Sequence, residues 1–235
     1  MGEERLAGNI QSGASVETVS DAVFRRMRQD IILGSLPPGS KIKLEQARER
    51  YSISISSLRE ILCRLSAENL VLAEGQRGFE VSPVSRQELL ELADLRIVLE
   101  CHAIGLAFRA GDLEWEGSIV AAHHRVSAVE RKLLAGDTSR TIDWVRYDWQ
   151  FHRAIVAACG STVLLQNLSS VFDRFLRYHM LAENFRGQAV VDDHKLLFKH
   201  ALARDIDAAK GIIRSHVQKG VEHIMENRSF LSKNA

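Results

Sequence analysis

From Ser54 to Leu65 the chain reads Ser-Ile-Ser-Ser-Leu-Arg-Glu-Ile-Leu-Cys-Arg-Leu. Small hydroxyl residues open the run, and Leu58, Ile61, Leu62 and Leu65 then recur at the spacing of one helix face. That face must be buried, which leaves Arg59 to reach outward. Serines in a first turn cap free amides or bond phosphate oxygens, so the run has the make-up of a helix that lies in a groove. Leu44 to Tyr51 precedes it as a shorter amphipathic helix, and Val71 to Val81 follows as two short strands around a Gly-punctuated tip. Helix, turn, helix and wing is the layout of a DNA-reading module.

The flanking sequence completes that module. Val19, Val23, Met27 and Ile31 place a first helix over Val16 to Leu33, stopped by Gly34 and by the turn Pro37-Pro38-Gly39. Residues 1–14 are polar and without periodicity, and read as a flexible tail. After the wing, Ser82-Pro83-Val84-Ser85 is a short linker, and Ser85 with Glu88 forms a capping box for the next helix. Beyond it there is no further proline and no alternating pattern. Helical periodicity predicts helices near 85–110, 113–134, 140–158, 161–183, 190–203 and 205–227. The expected fold is mainly α: a winged helix-turn-helix over 15–82 joined to an all-α helical bundle over 83–230.

A chain of 235 residues, 46% hydrophobic and 26% charged, is long enough for two such domains. No apolar run approaches the roughly 20 residues that span a bilayer, which predicts a cytoplasmic protein without a membrane partner. Cys63, Cys101 and Cys159 are odd in number and widely spaced among apolar neighbours, as reduced packing thiols are. The formal net charge is only +1, so DNA affinity must come from local placement of charge. Residues 20–80 carry ten Lys or Arg against eight Asp or Glu, a surplus of two that a dimer doubles.

The bundle carries one further constellation. Asp148 and His152 are four residues apart and share a helix face, while His194 and His216 lie on two later helices. Three imidazoles and a carboxylate from three helices could converge on one divalent ion, zinc first, with nickel, cobalt or manganese also suited to the donors. Spacing alone leaves a second reading open, in which these are hydrogen-bonded core residues. The remaining histidines, His102, His123, His124, His179, His200 and His223, read as surface or satisfied interior side chains.

Taken together, these features resemble the GntR family of transcriptional regulators, FadR type, whose all-helical effector domain is called FCD. The resemblance spans nearly the whole chain. It rests on Ile32 to Gly39, the Ser54 to Leu65 helix, Gln76-Arg77-Gly78-Phe79-Glu80-Val81, Leu95-Arg96-Ile97-Val98-Leu99-Glu100, Asp148-Trp149-Gln150-Phe151-His152, Asp193-His194 and His216. It implies that Asp148, His152, His194 and His216 hold a divalent metal and that a small carboxylate effector completes its coordination. It also implies that Arg96 holds the far end of that effector, and that Tyr178 faces the pocket. Arg96 could equally form an interhelical salt bridge, and a tyrosine at helical spacing often serves packing.

The chain departs from the family where DNA is read. The family's recognition helix carries Ser-Arg-Thr-Pro-Val-Arg-Glu; here Ile55 stands for the first Arg and Ser57 for the Pro, and Glu45 replaces an upstream Arg. Arg59 and the wing Arg77 remain as DNA contacts, with Ser54, Ser56 and Ser57 at phosphates or caps. Phe151 to Ser161 and the Ser-Leu-Arg-Glu helix are most similar to the glutarate-responsive, carbon-starvation-induced repressor subgroup, which implies a short dicarboxylate. The expected protein is thus a homodimeric repressor of a pseudo-palindromic operator, not an enzyme. A rival reading is a metal-dependent hydrolase fused to the module, and a third is a module that has lost DNA binding.

Overall fold

In the computed structural model, which describes residues 18–73, 75, 78–182 and 185–226, nine α-helices and three strands follow one another. The tail over 1–14 and the wing residue Arg77 lie outside the described residues. The first helix, α1 (Val19–Ile32), begins at Thr18, whose side chain accepts the Asp21 N–H, and ends before Gly34 at φ +78°. A short α2 (Leu44–Tyr51) is closed by Ser52 in the left-handed region, and α3 (Ile55–Ala67) follows. Their apolar faces meet: Met27, Ile31, Leu58, Ile61, Leu62 and Leu65 have no measurable exposure. Burial of this kind contributes about 1.5–3 kcal/mol for each large aliphatic side chain, which fixes the stacking of α3 on α1 and α2.

The wing differs from the two strands read in the sequence. Lys41–Ile42 (β1) joins Val71–Ala73 (β2) and Phe79–Val81 (β3) in an antiparallel sheet of order β1-β3-β2. Lys41 pairs with Glu80, Ile42 with Phe79, and Val71 with Val81. A two-residue strand has no periodicity of its own, so only the pairing reveals it. Cys63, expected among the packing thiols, is exposed on α3, whereas Cys101 and Cys159 are buried.

The second part is the bundle: α4 (Arg86–Ala110), α5 (Leu113–Leu134), α6 (Thr141–Val156), α7 (Thr162–Leu181), α8 (Gln188–Leu202) and α9 (Ile206–Glu226). Helix α4 packs against α7 and α9, α5 packs against α6 and α8, and α8 packs on α9. Phe108, Phe151, Ile155, Phe172, Phe175, Leu197 and Ile213 are among the residues that fill the interior. A single 3₁₀ turn over Ala157–Cys159 ends α6 a little before the expected boundary, and Gly160 at φ +72° reverses the chain.

The junction between the two parts corrects two readings. Ser85 Oγ accepts the Glu88 N–H at 3.1 Å, as a capping box requires, but the Glu88 carboxylate does not return to the Ser85 amide. The Tyr178 hydroxyl stands between them, accepting from Ser85 N–H at 3.1 Å and donating to Glu88 Oε2 at 2.5 Å. Tyr178 therefore completes the cap of α4. Two neighbours on α7 reach the N-terminal module: Arg177 donates to the Ser82 carbonyl, and Asp173 accepts from Arg28 of α1, whose Nε also bonds Glu68 at 2.6 Å.

Candidate metal centre

Helix geometry brings the four sequence-selected residues to one place. Asp148 and His152 lie one turn apart on the buried face of α6; His194 projects from α8 and His216 from α9. All four are buried. One ring nitrogen from each of the three histidines lies within 4.8 Å of the others, and the ring centroids are 5.1–5.6 Å apart. Ligand atoms about 2.1 Å from one ion sit about 3.0–3.5 Å apart, so modest side-chain rotation closes the set.

What lies behind the imidazoles is as informative as the imidazoles themselves. His152 Nδ1 is 2.6 Å from Glu100 Oε1 of α4, and His194 Nδ1 is 2.6 Å from Glu130 Oε1 of α5. Each carboxylate holds the Nδ1 proton and turns Nε2 toward the centre. Those two Nε2 atoms are buried and have no hydrogen-bond partner. Asp148 Oδ1 is 3.1 Å from His194 Nε2 and 3.9 Å from His152 Nε2, close in charge but not aligned for a hydrogen bond. Inward-facing bare nitrogens held by outer carboxylates are the usual arrangement of metal-ligating histidines. The donor set fits a divalent ion.

The electrostatics agree. Burial alone would raise the Asp148 pKa, yet His194 and His152 hold it well below the carboxylate range. Burial would also raise Glu100, but Arg96 and His152 bring it down to about 2. His194 is desolvated and would on that account titrate low; the Asp148 and Glu130 carboxylates beside its two ring nitrogens lift it to about 9. The acidic side chains thus favour a positive charge here, and a divalent ion satisfies the same demand with neutral rings. His216 stays neutral and ligand-competent, because burial and the neighbouring Arg186 push its pKa well below the normal imidazole value.

A narrow cavity of about 10 Å³, room for about one water, opens beside the ligands, bounded by Arg96, Asp148, Phe172, His179, Arg186 and His216 among others. The ion pair of Arg96 lies within its own helix rather than between helices: Nε bonds Glu100 Oε2 of α4 at 3.0 Å, while the guanidinium lies 4.5 Å over the Phe172 ring at the cavity wall. Tyr178 does not line the cavity; its hydroxyl is engaged at the α4 cap, so the effector-facing role expected of it is not where the structure places it. His179, read as an ordinary interior or surface residue, does line it, and burial with Arg186 and Arg96 lowers its pKa to about 3. Glu130 and Arg186 carried no sequence signal. Glu130 sits 64 residues from its partner, and Arg186 precedes α8 where no periodicity marks it.

In the N-terminal module Ser54 is the N-cap of α3, its Oγ accepting the Ser57 N–H at 3.2 Å and lying 2.9 Å from Ser56 Oγ. Ser54, Ser56 and Arg59 are exposed and Ser57 is half-buried, on the side of α3 turned away from its leucines. Glu45, in place of an arginine, is paired with Arg48 at 2.9 Å.

Comparison with known proteins decides the family. The profile described as "Bacterial regulatory proteins, gntR family" matches residues 19–81, and the profile "FCD domain" matches 91–219. The uncharacterized HTH-type transcriptional regulator BphR of Paraburkholderia xenovorans (strain LB400) is 33% identical over 91% of this chain and 88% of its own. The chain belongs to the gntR family. The HTH-type transcriptional repressor GlaR of Escherichia coli (strain K12) is 35% identical over 83% of this chain and 90% of its own. Among solved structures, E. coli McbR/YncC superposes with a TM-score of 0.76 over 91% of this chain and all of that one, at 19% identity, which speaks to the fold. This gntR-family protein is therefore a transcriptional regulator with an FCD domain, not an enzyme. Among the described residues no helix is long and apolar enough to cross a membrane.

Proposed function

We propose that this regulator is a homodimeric repressor whose DNA affinity is set by a small carboxylate or dicarboxylate bound at a divalent metal. In this reading residues 15–82 hold the operator and residues 83–230 sense the metabolite, in the cytoplasm where the operator lies. The ion is held by His152, His194, His216 and Asp148, with zinc the best match to three imidazoles and one carboxylate and nickel, cobalt or manganese as alternatives. One observation carries the reading: two buried imidazole nitrogens, each oriented by a carboxylate, face a common centre without an aligned hydrogen bond, with the Asp148 carboxylate 3.1 Å from one of them. When bound, the ion supplies a Lewis-acidic position for a carboxylate oxygen. Repression rests on the repressors among the relatives, GlaR and RspR of E. coli.

Helix α7 supplies the route from cavity to DNA. Phe172, Phe175 and His179 border the cavity, while Asp173, Arg177 and Tyr178 of the same helix hold Arg28, the Ser82 carbonyl and the α4 cap. A shift of α7 that accommodates a ligand must move those three attachments. Two copies of α3, spaced by the dimer, read the half-sites through Ser54, Ser56, Ser57, Arg59 and Arg77, and a change of spacing weakens binding. The test is fluorescence anisotropy of the DNA upstream of the regulator's own gene, with zinc and with a panel of short organic acids. Reciprocity requires that an acid which weakens DNA binding by some factor binds DNA-loaded protein weaker by that factor. Acid and operator binding with no mutual effect refutes the mechanism.

A further inference from the structure

Two guanidinium groups border the cavity, and their surroundings differ in kind. Arg96 is neutralised: Glu100 accepts from its Nε at 3.0 Å, both side chains are almost fully buried, and Phe172 and Phe175 cover its face. Arg186 is not. Its side chain is 6% exposed, and the single carboxylate within ion-pair range among the described residues, Asp193 Oδ2, is 3.9 Å away. The other oxygen of Asp193 is held by Lys219 at 2.8 Å. Arg186 Nη1 donates to the His216 carbonyl at 3.2 Å, Nη2 rests 3.2 and 3.4 Å from the two ring nitrogens of His216, and Nε is buried without a partner.

A buried guanidinium without an aligned carboxylate is costly, and an entering anion relieves that cost. The contact with His216 is also opposed by metal binding. A divalent ion on His216 would repel a guanidinium that lies 3.2 and 3.4 Å from the nitrogens of the same ring, which favours withdrawal of Arg186 when the ion is bound. Its fork is then left facing a cavity that already contains a Lewis-acidic position for an oxygen ligand. Arg96 has no such need, since releasing it would strip Glu100 of a partner and loosen His152 behind it.

We propose that Arg186, rather than Arg96, is the residue that receives the effector's carboxylate, and that it exchanges the His216 ring for that anion when metal and effector bind. This rests on the reading of the cavity as a metal-dependent carboxylate site. It makes Arg186 the residue that selects small organic acids over neutral ligands of the same size.

The test uses the full-length protein loaded with zinc, and calorimetric titration with acetate, butyrate, succinate and glutarate. Zinc affinity is measured separately by chelator competition. Arg186→Met keeps the volume and removes the charge; Arg186→Lys keeps the charge and loses the fork. The expected result is that Arg186→Met retains zinc affinity, itself a report of a folded site, while binding of the preferred acid falls by at least about 30-fold. Arg186→Lys should fall in between. Wild-type affinity for that acid in Arg186→Met, with loss instead in Arg96→Met, overturns the assignment while leaving the metal site standing. A wild-type protein that binds zinc but none of the four acids, or no zinc at all, overturns the carboxylate-site reading and this proposal with it.

Discussion

The Arg28–Asp173 pair joins the DNA-reading module to α7, and its two halves should not be equivalent under mutation. Arg28 spans Asp173 and Glu68, with side-chain exposures of 26% for Arg28, 11% for Asp173 and 34% for Glu68. Hydrogen bonds to charged groups contribute about 1.5–3 kcal/mol when sheltered, and exposed ion pairs about 0–1 kcal/mol, so this partly covered pair should contribute about 1–2 kcal/mol. Arg28→Met leaves Asp173 enclosed and alone and should cost about 2 kcal/mol at pH 7.5. Asp173→Asn leaves Arg28 with Glu68 at 2.6 Å and should cost less than about 1 kcal/mol. The pH dependence has a definite sign. Burial already raises the Asp173 pKa above its ordinary value despite Arg28, and removing Arg28 raises it further. A carboxylate whose folded pKa exceeds its unfolded one contributes most below the unfolded value and loses that contribution as pH rises through the folded value. The Arg28→Met deficit should therefore shrink between pH 7.5 and pH 5. Urea unfolding followed by circular dichroism, at unchanged m-value, measures both effects. Equal costs for the two variants, or an Arg28→Met deficit that is flat with pH, would refute the reasoning.

Other expectations follow from single contacts. Glu130→Gln keeps every metal ligand but loosens the His194 ring, and should weaken zinc binding by about 10–100-fold in chelator competition; an unchanged affinity removes Glu130 from the orienting role. Tyr178→Phe should lower stability by about 1–2 kcal/mol through the lost bridge between Ser85 and Glu88, yet leave acid affinity intact at the cavity; a specific loss of acid binding would return Tyr178 to the effector site. Gly111→Ala should destabilise by about 1–3 kcal/mol in thermal melts, because its Cβ would stand 2.2 Å from the Trp115 ring at an ordinary φ of −62°. Arg59→Ala should reduce the salt slope of operator binding by about 1, and an unaltered slope places Arg59 away from the phosphates.

The periodic parts of this protein were legible before any coordinates. Leu58, Ile61, Leu62 and Leu65 define α3 because a buried face at 3.6-residue spacing is a local property, and the same holds for the bundle helices and for Asp148 with His152 one turn apart. Ser54 as N-cap is equally local. Three features were settled by packing between distant segments. The strand Lys41–Ile42 exists only because Phe79 and Glu80 pair with it. Tyr178 matched a pocket position only through the family resemblance, and the α7 register turns its hydroxyl to the α4 cap, as a packing tyrosine with a tethered hydroxyl would have it. Glu100 and Glu130 find His152 and His194 across 52 and 64 residues, and Arg186 finds His216 across 30. Local spacing tells which side chains share a helix face; which faces meet, and so which charges are answered and which are left waiting for a ligand, is decided when the helices dock.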